Sequence, residues 1–310
     1  MNSLADHSRS QPQHSRSGPL AAASVAVVAW GIGPLFVKAI GLSGITVAIY
    51  RLWFAVPVMF TILTVTRGRV SVAIFKVAAP AGAMFAAEIG FGFSSFQYTS
   101  IANATIIGAL SPLLVLVVAG RMFGDRIRRI DGLWFALALV GTMMVVVLGA
   151  SARGQEQGWL GDLLATGSLL VWTVYFLYIK RKRADGVPAF AFMTAVITCG
   201  AVALTPYALV AAQPVTALHG TDWVWLFCLI CGPGAMGHGL MTWATRFLNV
   251  NLTSLMTLAG PVVSTVGAAI FFSQRLTGGQ LTGGLLVLVA IAMVLLGHRN
   301  TGIAPQPLDG

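Results

Sequence analysis

Long apolar segments alternate with short polar connections along the 310 residues of this chain. A helix that crosses a membrane needs about 20 consecutive apolar residues. Segments of that length predict ten membrane helices, at residues 20–40, 46–66, 77–97, 101–120, 132–150, 160–179, 188–211, 223–244, 252–273 and 280–297. Their apolar residues follow one another without alternation, whereas the strands of a membrane barrel alternate at every second residue. The pattern therefore predicts an all-α membrane protein with a disordered polar tail at residues 1–19 and a short polar tail at 300–310.

The composition agrees with this pattern and excludes an ordinary water-soluble protein. Hydrophobic residues make up 57% of the chain and charged residues only 9%, whereas soluble domains have roughly 25% charged residues. The net charge of +10 does not indicate a nucleic-acid partner, because the basic residues stand in short clusters between apolar segments. Cys199, Cys228 and Cys231 lie inside apolar segments, where free thiols are expected. We expect a lipid bilayer around the protein and neither a cofactor nor a metal ion.

The lysines and arginines are distributed unevenly between the two ends of the predicted helices. With the N-terminus inside, 15 of the 19 basic residues fall on the cytoplasmic side, among them the clusters at 126–129 and 180–183. Cytoplasmic loops of membrane proteins carry such an excess of basic residues. The bias predicts a multi-pass protein of the cell membrane, with the polar tails at both termini in the cytoplasm.

The second half of the chain repeats motifs of the first. Pro112 corresponds to Pro261 at an offset of 149 residues, and the segment WGIGPLFVK at 30–38 parallels WTVYFLYIK at 172–180. Two halves of five helices are predicted, at residues 20–150 and 160–297. Because five is odd, the second half enters the membrane upside down, and the loop charges agree with that inversion. Inverted repeats are typical of alternating-access transporters, whose substrate site lies near the membrane midplane between the halves.

The same motifs resemble the EamA-like branch of the drug/metabolite transporter (DMT) superfamily. The resemblance rests on Trp30-Gly31 with Phe36 and Lys38, on Tyr50-Arg51, on Ala109-Leu110-Ser111-Pro112 and on the FGDRI turn at 123–127. It covers about residues 20–297. The resemblance implies export of small metabolites, amino acids or toxic organic compounds, often coupled to protons. The chain departs from the family at Gln274, where the second turn usually has Glu, while Asp125 keeps the charge in the first turn.

Glu88 is the one acidic residue well inside a predicted membrane helix. It lies eleven residues beyond Val77, so about 17 Å into a membrane about 30 Å thick. A carboxylate at that depth is costly, and such residues usually face a cavity and mark a proton or substrate pathway. The sequence predicts that Glu88 contacts the substrate and carries the coupling proton. A hydrogen bond that serves packing alone is the alternative.

His238 follows a stretch that is poor in regular helix formers. Gly232, Pro233 and three further glycines weaken the helical hydrogen-bond ladder before and after it, and interrupted helices of this kind commonly line transporter sites. At the offset of 149 Glu88 corresponds to the residue before His238, so the two are predicted to face each other and to share substrate binding and proton coupling. The alternative is close helix packing, with His238 as a buried imidazole.

Further polar side chains are candidates for contact with the substrate. Lys38 and Arg51 lie near the outer ends of the first two predicted helices. There they either bind a carboxylate or phosphate group or extend toward the membrane surface. Asn103 and Asn251 stand at equivalent starts of two predicted helices, where they either bind the substrate or cap the helix.

Aromatic and proline residues complete the candidate site. Pro112 and Pro261 are expected to kink their helices, because proline removes a backbone donor. Aromatic side chains in these helices have two alternative roles. They either stack on an amphipathic substrate or its cation, or they pack against other helices or lie at the membrane interface. The aromatic candidates are Trp30, Trp172, Tyr175 and Trp243.

These observations predict a secondary transporter that exports a small amphipathic metabolite, such as an amino acid or amine, by alternating access. Protons are the candidate coupling ion. The sequence contains no GxxxxGK[ST] loop for a nucleotide, so direct ATP drive is not expected. An uptake permease or a passive channel is the main alternative. An intramembrane serine protease that uses Ser43 and His238 is disfavoured, because its GxSG motif falls in an outer connection rather than inside a helix.

Overall fold

The computed structural model describes residues 17–99, 104, 107–112, 114–115, 118, 129–150, 158–212, 214, 217–272 and 276–300. These residues form helices with short connections and contain no β-strand. The elements are α1 (Ser17–Ile40), α2 (Gly44–Val65), α3 (Val72–Tyr98), α4 (Arg129–Ala150), α5 (Trp159–Ala184), α6 (Ala189–Ala211), α7 (Asp222–Leu229), a π-helical segment (Ile230–Gly237), α8 (His238–Ala244), α9 (Val250–Thr257), α10 (Ala259–Phe272) and α11 (Gly278–Asn300). The all-α fold class is confirmed for this part of the chain.

Eight helices within the described residues are long and apolar enough to cross a membrane. They cover Ser17–Ile40, Gly44–Val65, Val72–Ser95, Arg129–Leu148, Trp159–Ala184, Ala189–Ala211, Asp222–Ala244 and Asn251–Phe271, and a shorter apolar helix covers Gly278–Val294. Each of these helices coincides with a predicted segment. Half of the residues in the predicted helix at 101–120 lie outside the described residues, so the count of ten stays a prediction.

Two predicted boundaries are wrong by about five residues. α3 begins at Val72 instead of residue 77, because the hydroxyl group of Ser71 accepts a hydrogen bond from the backbone N–H of Ile74 and caps the helix. α5 continues to Ala184 instead of residue 179. Cations are favourable in the last turn of a helix, because the free carbonyl groups there carry partial negative charge. The basic cluster at 180–183 is therefore helical rather than part of a loop.

The predicted helix at 223–244 consists of three parts, a π-helical segment between two α-helical ones. α7 leads into the π-helical segment, which contains Gly232 and Pro233, and α8 begins at His238. Proline has no backbone N–H, so the regular ladder cannot pass through Pro233. A π-helical turn accommodates such an irregularity and often occurs at functional sites. The predicted interruption is present as a widened helix instead of a gap.

Hydrogen bonds near both ends fix α3 against α5. The hydroxyl group of Tyr178 donates to the carbonyl oxygen of Val77 at 2.7 Å, and that of Thr99 donates to the carboxylate of Asp162 at 2.7 Å. α3 packs against α5 and α6, whereas α1 packs against the π-helical segment, α8 and α10. This arrangement brings the middle of α3, which carries Glu88, next to α5.

α4 and α11 form a close pair that is stabilised by small residues. A Cβ atom on Gly283 would lie 2.6 Å from the carbonyl oxygen of Gly141, so a larger side chain cannot fit there without movement of the helices. Close approach through glycines is a common way for membrane helices to pack. Here the close approach joins two helices of the same chain.

Candidate functional site

Side chains from α1, α5 and α8 surround a small cavity. Its lining includes Trp30, Trp172, Tyr175, His238, Met241 and Thr242. Its volume is about 10 Å³, roughly enough for one water molecule. Four residues that the sequence analysis singled out from distant parts of the chain therefore line the same space.

The aromatic rings around this cavity contact one another directly. The ring centroid of Trp30 lies 5.7 Å from that of Trp172 in an edge-to-face arrangement and 5.0 Å from that of His238. Trp172 lies 5.5 Å from Tyr175. These distances fall in the range at which aromatic pairs attract beyond simple burial. The rings thus fill the space between α1, α5 and α8 in this conformation.

Arg51 of α2 reaches this cluster through His238. Guanidinium Nη2 donates a long hydrogen bond of 3.4 Å to Nε2 of His238, so the imidazole accepts at that nitrogen and is neutral. Arg51 is 8% exposed and His238 is 6% exposed. Within the described residues the Arg51 guanidinium makes no other hydrogen bond and no ion pair. A buried cation with so little compensation is costly to the fold.

Glu88 lies near Arg51 on the neighbouring α3. Its carboxylate oxygen Oε1 accepts a hydrogen bond of 3.5 Å from the hydroxyl group of Ser168, which also donates to the Glu88 carbonyl oxygen at 3.1 Å. Glu88 interacts electrostatically with both Arg51 and Tyr175. Because α3 begins earlier than predicted, Glu88 lies about 24 Å along a helix about 40 Å long. It is still in the middle third of the helix.

Gly237 allows Trp30 to approach the end of the π-helical segment. A Cβ atom on Gly237 would lie 2.7 Å from Nε1 of the Trp30 indole, so only glycine fits here without movement of the ring. The same Nε1 atom is buried and has no hydrogen-bond partner among the described residues. Buried donors are nearly always paired in native proteins. An unpaired indole N–H beside the cavity is therefore available to a ligand.

The remaining predicted site residues are less closely associated with the cavity. Lys38 lies in the last turn of α1 and does not line it. Trp243 packs on Phe247 at a centroid distance of 5.1 Å and does not line it either. Asn103 lies outside the described residues.

Asn251 and the two prolines differ from the simplest expectations. Asn249, not Asn251, caps α9, since its side-chain oxygen accepts a hydrogen bond from the backbone N–H of Asn251. The side-chain oxygen of Asn251 is buried without a hydrogen-bond partner in the described part of the chain. Pro261 lies in the first turn of α10, just after the break between α9 and α10, where proline is well tolerated. Pro112 lies in a short helical stretch.

Two residues that the sequence analysis missed belong to the site. Phe85 stacks on Tyr175 at 5.4 Å and meets the ring of His238 edge-on at 4.9 Å. Ser168 holds Glu88, as described above. The sequence could have indicated both residues through their spacing, because residues three or four positions apart lie on the same face of a helix. Phe85 lies three residues before Glu88, and Ser168 lies four residues before Trp172.

A larger cavity of about 240 Å³ lies between α2, α6 and the π-helical segment. Its lining includes Val58, Ile62, Phe190, Ala235 and Met236, and it contains no charged side chain. Ligand sites combine apolar walls with a few polar groups that fix orientation. The smaller cavity has those groups, so it is the better candidate for a binding site despite its volume.

The fold and the site together define a multi-pass helical membrane protein with a buried charged and aromatic centre, which is the arrangement of solute carriers. A sequence profile of the EamA-like transporter family matches residues 18–147 and 159–296. Because these two stretches make up most of the chain, the protein belongs to the EamA-like transporter family. The resemblance that was noted in the sequence is confirmed, and the protease alternative is dropped in favour of a transporter.

Named relatives are similar to the chain at moderate identity. The chain is 28% identical over 184 residues to the "Aromatic amino acid exporter YddG" of Ancylobacter novellus, across 57% of this chain and 60% of that exporter. It is 23% identical over 247 residues to the "Probable amino-acid metabolite efflux pump" of Salmonella typhimurium, across 73% of this chain and 82% of that protein. A solved crystal structure has a TM-score of 0.78 at 21% identity, across 92% of this chain and 99% of that one, and shows the fold alone.

Proposed function

We propose that this protein is a secondary transporter that exports an amino acid, or a similar small amphipathic metabolite, by alternating access. The observation that carries the proposal is the buried guanidinium of Arg51, which is 8% exposed and held by one long hydrogen bond to a neutral imidazole. Removing a cation from water is costly unless an anion compensates it. The carboxylate of an amino acid supplies that anion.

Two charged groups next to the cavity and the rings that line it together suit an amino acid. Arg51 does not line the cavity but contacts His238, which does, and Glu88 interacts with Arg51. The forked guanidinium of Arg51 binds a carboxylate through two parallel hydrogen bonds. The carboxylate of Glu88 accepts the ammonium group in one state and a proton in another. The rings of Trp30, Trp172 and Tyr175 stack on an apolar side chain or its adjacent cation. An amphipathic zwitterion fits this combination better than a plain hydrocarbon or a polyanion.

The small volume of the cavity supports a mechanism in which the site opens and closes. Sites for small molecules usually measure roughly 300–1,000 Å³, whereas this cavity measures about 10 Å³. Substrate therefore enters only after the aromatic rings separate, and a closed intermediate is what alternating access requires. His238 is suited to follow that motion, because it adjoins the irregular π-helical segment. His238 thus joins Glu88 as a candidate for proton coupling.

The architecture that we propose is a set of ten membrane helices in two inverted halves, at residues 20–150 and 160–297. The nine apolar helices among the described residues, the paired motifs around Pro112 and Pro261, and the family profile that matches two stretches support it. Asn103 and Asn251 take equivalent places in the two halves. Inversion of this kind lets one half open toward each side of the membrane in turn.

We place both termini in the cytoplasm of a cell that carries the protein in its cytoplasmic membrane. The support is the uneven distribution of lysine and arginine, 15 of 19 of which then lie on the cytoplasmic side. In this orientation the connection between α5 and α6 is cytoplasmic. Reporter fusions at His14 and Asp309 test this orientation, and a reporter found outside at either position would contradict it.

The printed names of two relatives agree with an amino-acid cargo. The Ancylobacter protein is named an aromatic amino acid exporter and the Salmonella protein an amino-acid metabolite efflux pump. The ring cluster around Trp30 and Trp172 favours cargo with a large apolar or aromatic side chain over a small polar one. Export and uptake use the same site, so direction follows from the ion gradient that drives the cycle.

Solute counterflow in liposomes tests the proposed function. Liposomes that contain the purified protein and a saturating unlabelled amino acid should draw in a trace of the labelled amino acid against its gradient. A panel of amino acids, amines and drugs identifies the preferred cargo, and a toxicity-rescue screen in expressing cells narrows that panel beforehand. Saturable counterflow of an amino acid is the expected result. Flux that rises linearly with concentration would show a passive channel and contradict the proposal.

A further inference from the structure

Two cations at the end of α5 bind the end of α8. The ammonium group of Lys180 donates to the carbonyl oxygens of Thr245 at 2.6 Å and Leu248 at 2.7 Å. Nε of Arg183 donates to the carbonyl oxygen of Thr242 at 3.0 Å, and its Nη1 donates to that of Val187. We call these two cations and the carbonyl groups of Thr242, Thr245 and Leu248 the α5–α8 clamp.

The clamp binds carbonyl groups at the C-terminal end of α8 and in the connection just after it. The last four carbonyl groups of a helix have no N–H from the next turn, and they carry the negative end of the helix dipole. Hydrogen bonds from a cation to such groups are roughly twice as strong as neutral ones. Arg183 is only 3% exposed, so water competes little for its bond to Thr242. The clamp is therefore a specific, partly buried contact rather than a loose surface pair.

The clamp lies directly beside the candidate substrate cavity. Ile179, Thr242 and Thr245 line that cavity, and each is a member or an immediate neighbour of the clamp. In the proposed orientation, α5 runs toward the cytoplasm and ends at Ala184, and α8 also ends on that side. The clamp thus lies between the cavity and the cytoplasm.

We propose that the clamp is the cytoplasmic gate of the transporter, with Lys180 as its main positioning residue. When the clamp is closed, α8 is held against α5 and the cavity is sealed from the cytoplasm. When it opens, the end of α8 moves away from α5 and the cavity is exposed to cytoplasmic substrate. This proposal rests on the alternating-access mechanism, although its test needs no substrate.

The internal repeat extends the proposal to the outer face. The parallel between residues 30–38 and 172–180 pairs Lys38 with Lys180. At the offset of 149, the clamp carbonyls of α8 correspond to those near the end of α3. The start of α2 already packs there, since a Cβ atom on Gly44 would lie 2.7 Å from the carbonyl oxygen of Phe93. Lys38 at the end of α1 is therefore the counterpart of Lys180 in an outer gate.

Thiol accessibility measures the state of this gate. In a background that lacks Cys199, Cys228 and Cys231, Thr242→Cys places a thiol in the cavity while leaving its backbone carbonyl in the clamp. A membrane-impermeant maleimide is applied to inside-out vesicles and, separately, to right-side-out vesicles. Adding Lys180→Met should increase the labelling rate at least fivefold from the cytoplasmic side and less than twofold from the outer side. Adding Lys38→Met should reverse that preference.

Matched variants separate the gate from a general loss of structure. Lys182→Met removes a neighbouring cation that pairs with Asp185 at the surface, and it should leave both labelling rates unchanged. If Lys180→Met does not yield folded protein, Arg183→Gln removes one clamp bond and is measured in the same way. Labelling at the parent rate in folded Lys180→Met or Arg183→Gln protein would overturn the proposal. Equal acceleration from both sides, or acceleration from the outer side alone, would overturn it as well.

Discussion

Arg51→Gln is expected to lower amino-acid counterflow at least tenfold while the protein stays folded. A hydrogen bond to a charged group contributes about 1.5–3 kcal/mol, which corresponds to a loss of affinity on the order of 10- to 100-fold. The fold should lose little, because the described structure gives the guanidinium of Arg51 one long hydrogen bond and no ion pair. A buried cation without a direct ion pair costs the fold desolvation energy, and that saving should roughly offset the loss of its attraction to Glu88, so we expect little change in thermal stability. Counterflow and the melting temperature of the purified protein are the two measurements.

Two further variants sharpen the test of Arg51. Arg51→Lys keeps the charge but loses the fork, so its counterflow should lie between that of the parent and that of Arg51→Gln. Arg69→Gln makes the same change at an exposed position after α2 and should retain parent activity. A purely structural Arg51 would behave differently, with a lower melting temperature and unchanged affinity in the remaining folded protein. That outcome would remove Arg51 from the substrate site.

Glu88→Gln is expected to abolish accumulation that is driven by a pH gradient while retaining measurable counterflow. Glutamine keeps the size of the side chain and its hydrogen bonding to Ser168, but it cannot take up and release a proton. Counterflow exchanges substrate for substrate and needs no net proton movement, so it survives at a reduced rate. The measurement compares uptake of labelled amino acid into liposomes with and without an imposed pH difference.

An exposed acid provides the control for Glu88. Asp185→Asn makes the same acid-to-amide change in the surface pair with Lys182, and it should leave both kinds of transport unchanged. Undiminished accumulation by Glu88→Gln under a pH gradient would exclude Glu88 as the proton carrier. Reduced folded yield with normal coupling in the surviving protein would instead assign Glu88 to packing.

The apolar segments were sufficient to predict the fold class and most helix positions. Each described helix long enough to cross a membrane coincides with a predicted segment, because continuous burial in lipid requires continuous apolar sequence. The start of α3 was less predictable. Val72–Phe75 are apolar but are separated from the rest of that segment by Lys76, and the cap at Ser71 marks where the helix begins.

The members of the site were partly predictable, but their contacts were not. His238 stood out as a polar group inside an apolar helix, where such residues usually mark a functional pathway. Trp30 and Trp172 were candidates as well, although packing or the membrane interface also accounts for aromatic residues there. Nothing in the sequence indicated that Arg51 reaches His238, because the two lie 187 positions apart. That contact depends on how α2 and the π-helical segment pack together.

The contacts of the basic cluster at 180–183 could not be predicted from the sequence. The excess of cytoplasmic lysine and arginine explains basic residues there without any contact. In the structure two of the four make specific contacts, since Arg183 binds a carbonyl group of α8 and Lys180 binds two in the connection just after it. Charge counting reports the side of the membrane but not the partner of each side chain.

Substrate protection of a single thiol in the cavity tests the central claim most directly. In the cysteine-free background, Met241→Cys places a thiol in the cavity wall, and Arg69→Cys places one in the exposed polar connection after α2. A water-soluble maleimide is applied with and without the amino acid that gives the strongest counterflow. We predict that saturating amino acid slows labelling of Met241→Cys at least fivefold and leaves Arg69→Cys unchanged. Labelling of Met241→Cys at the same rate with and without the amino acid would contradict this account of the substrate site.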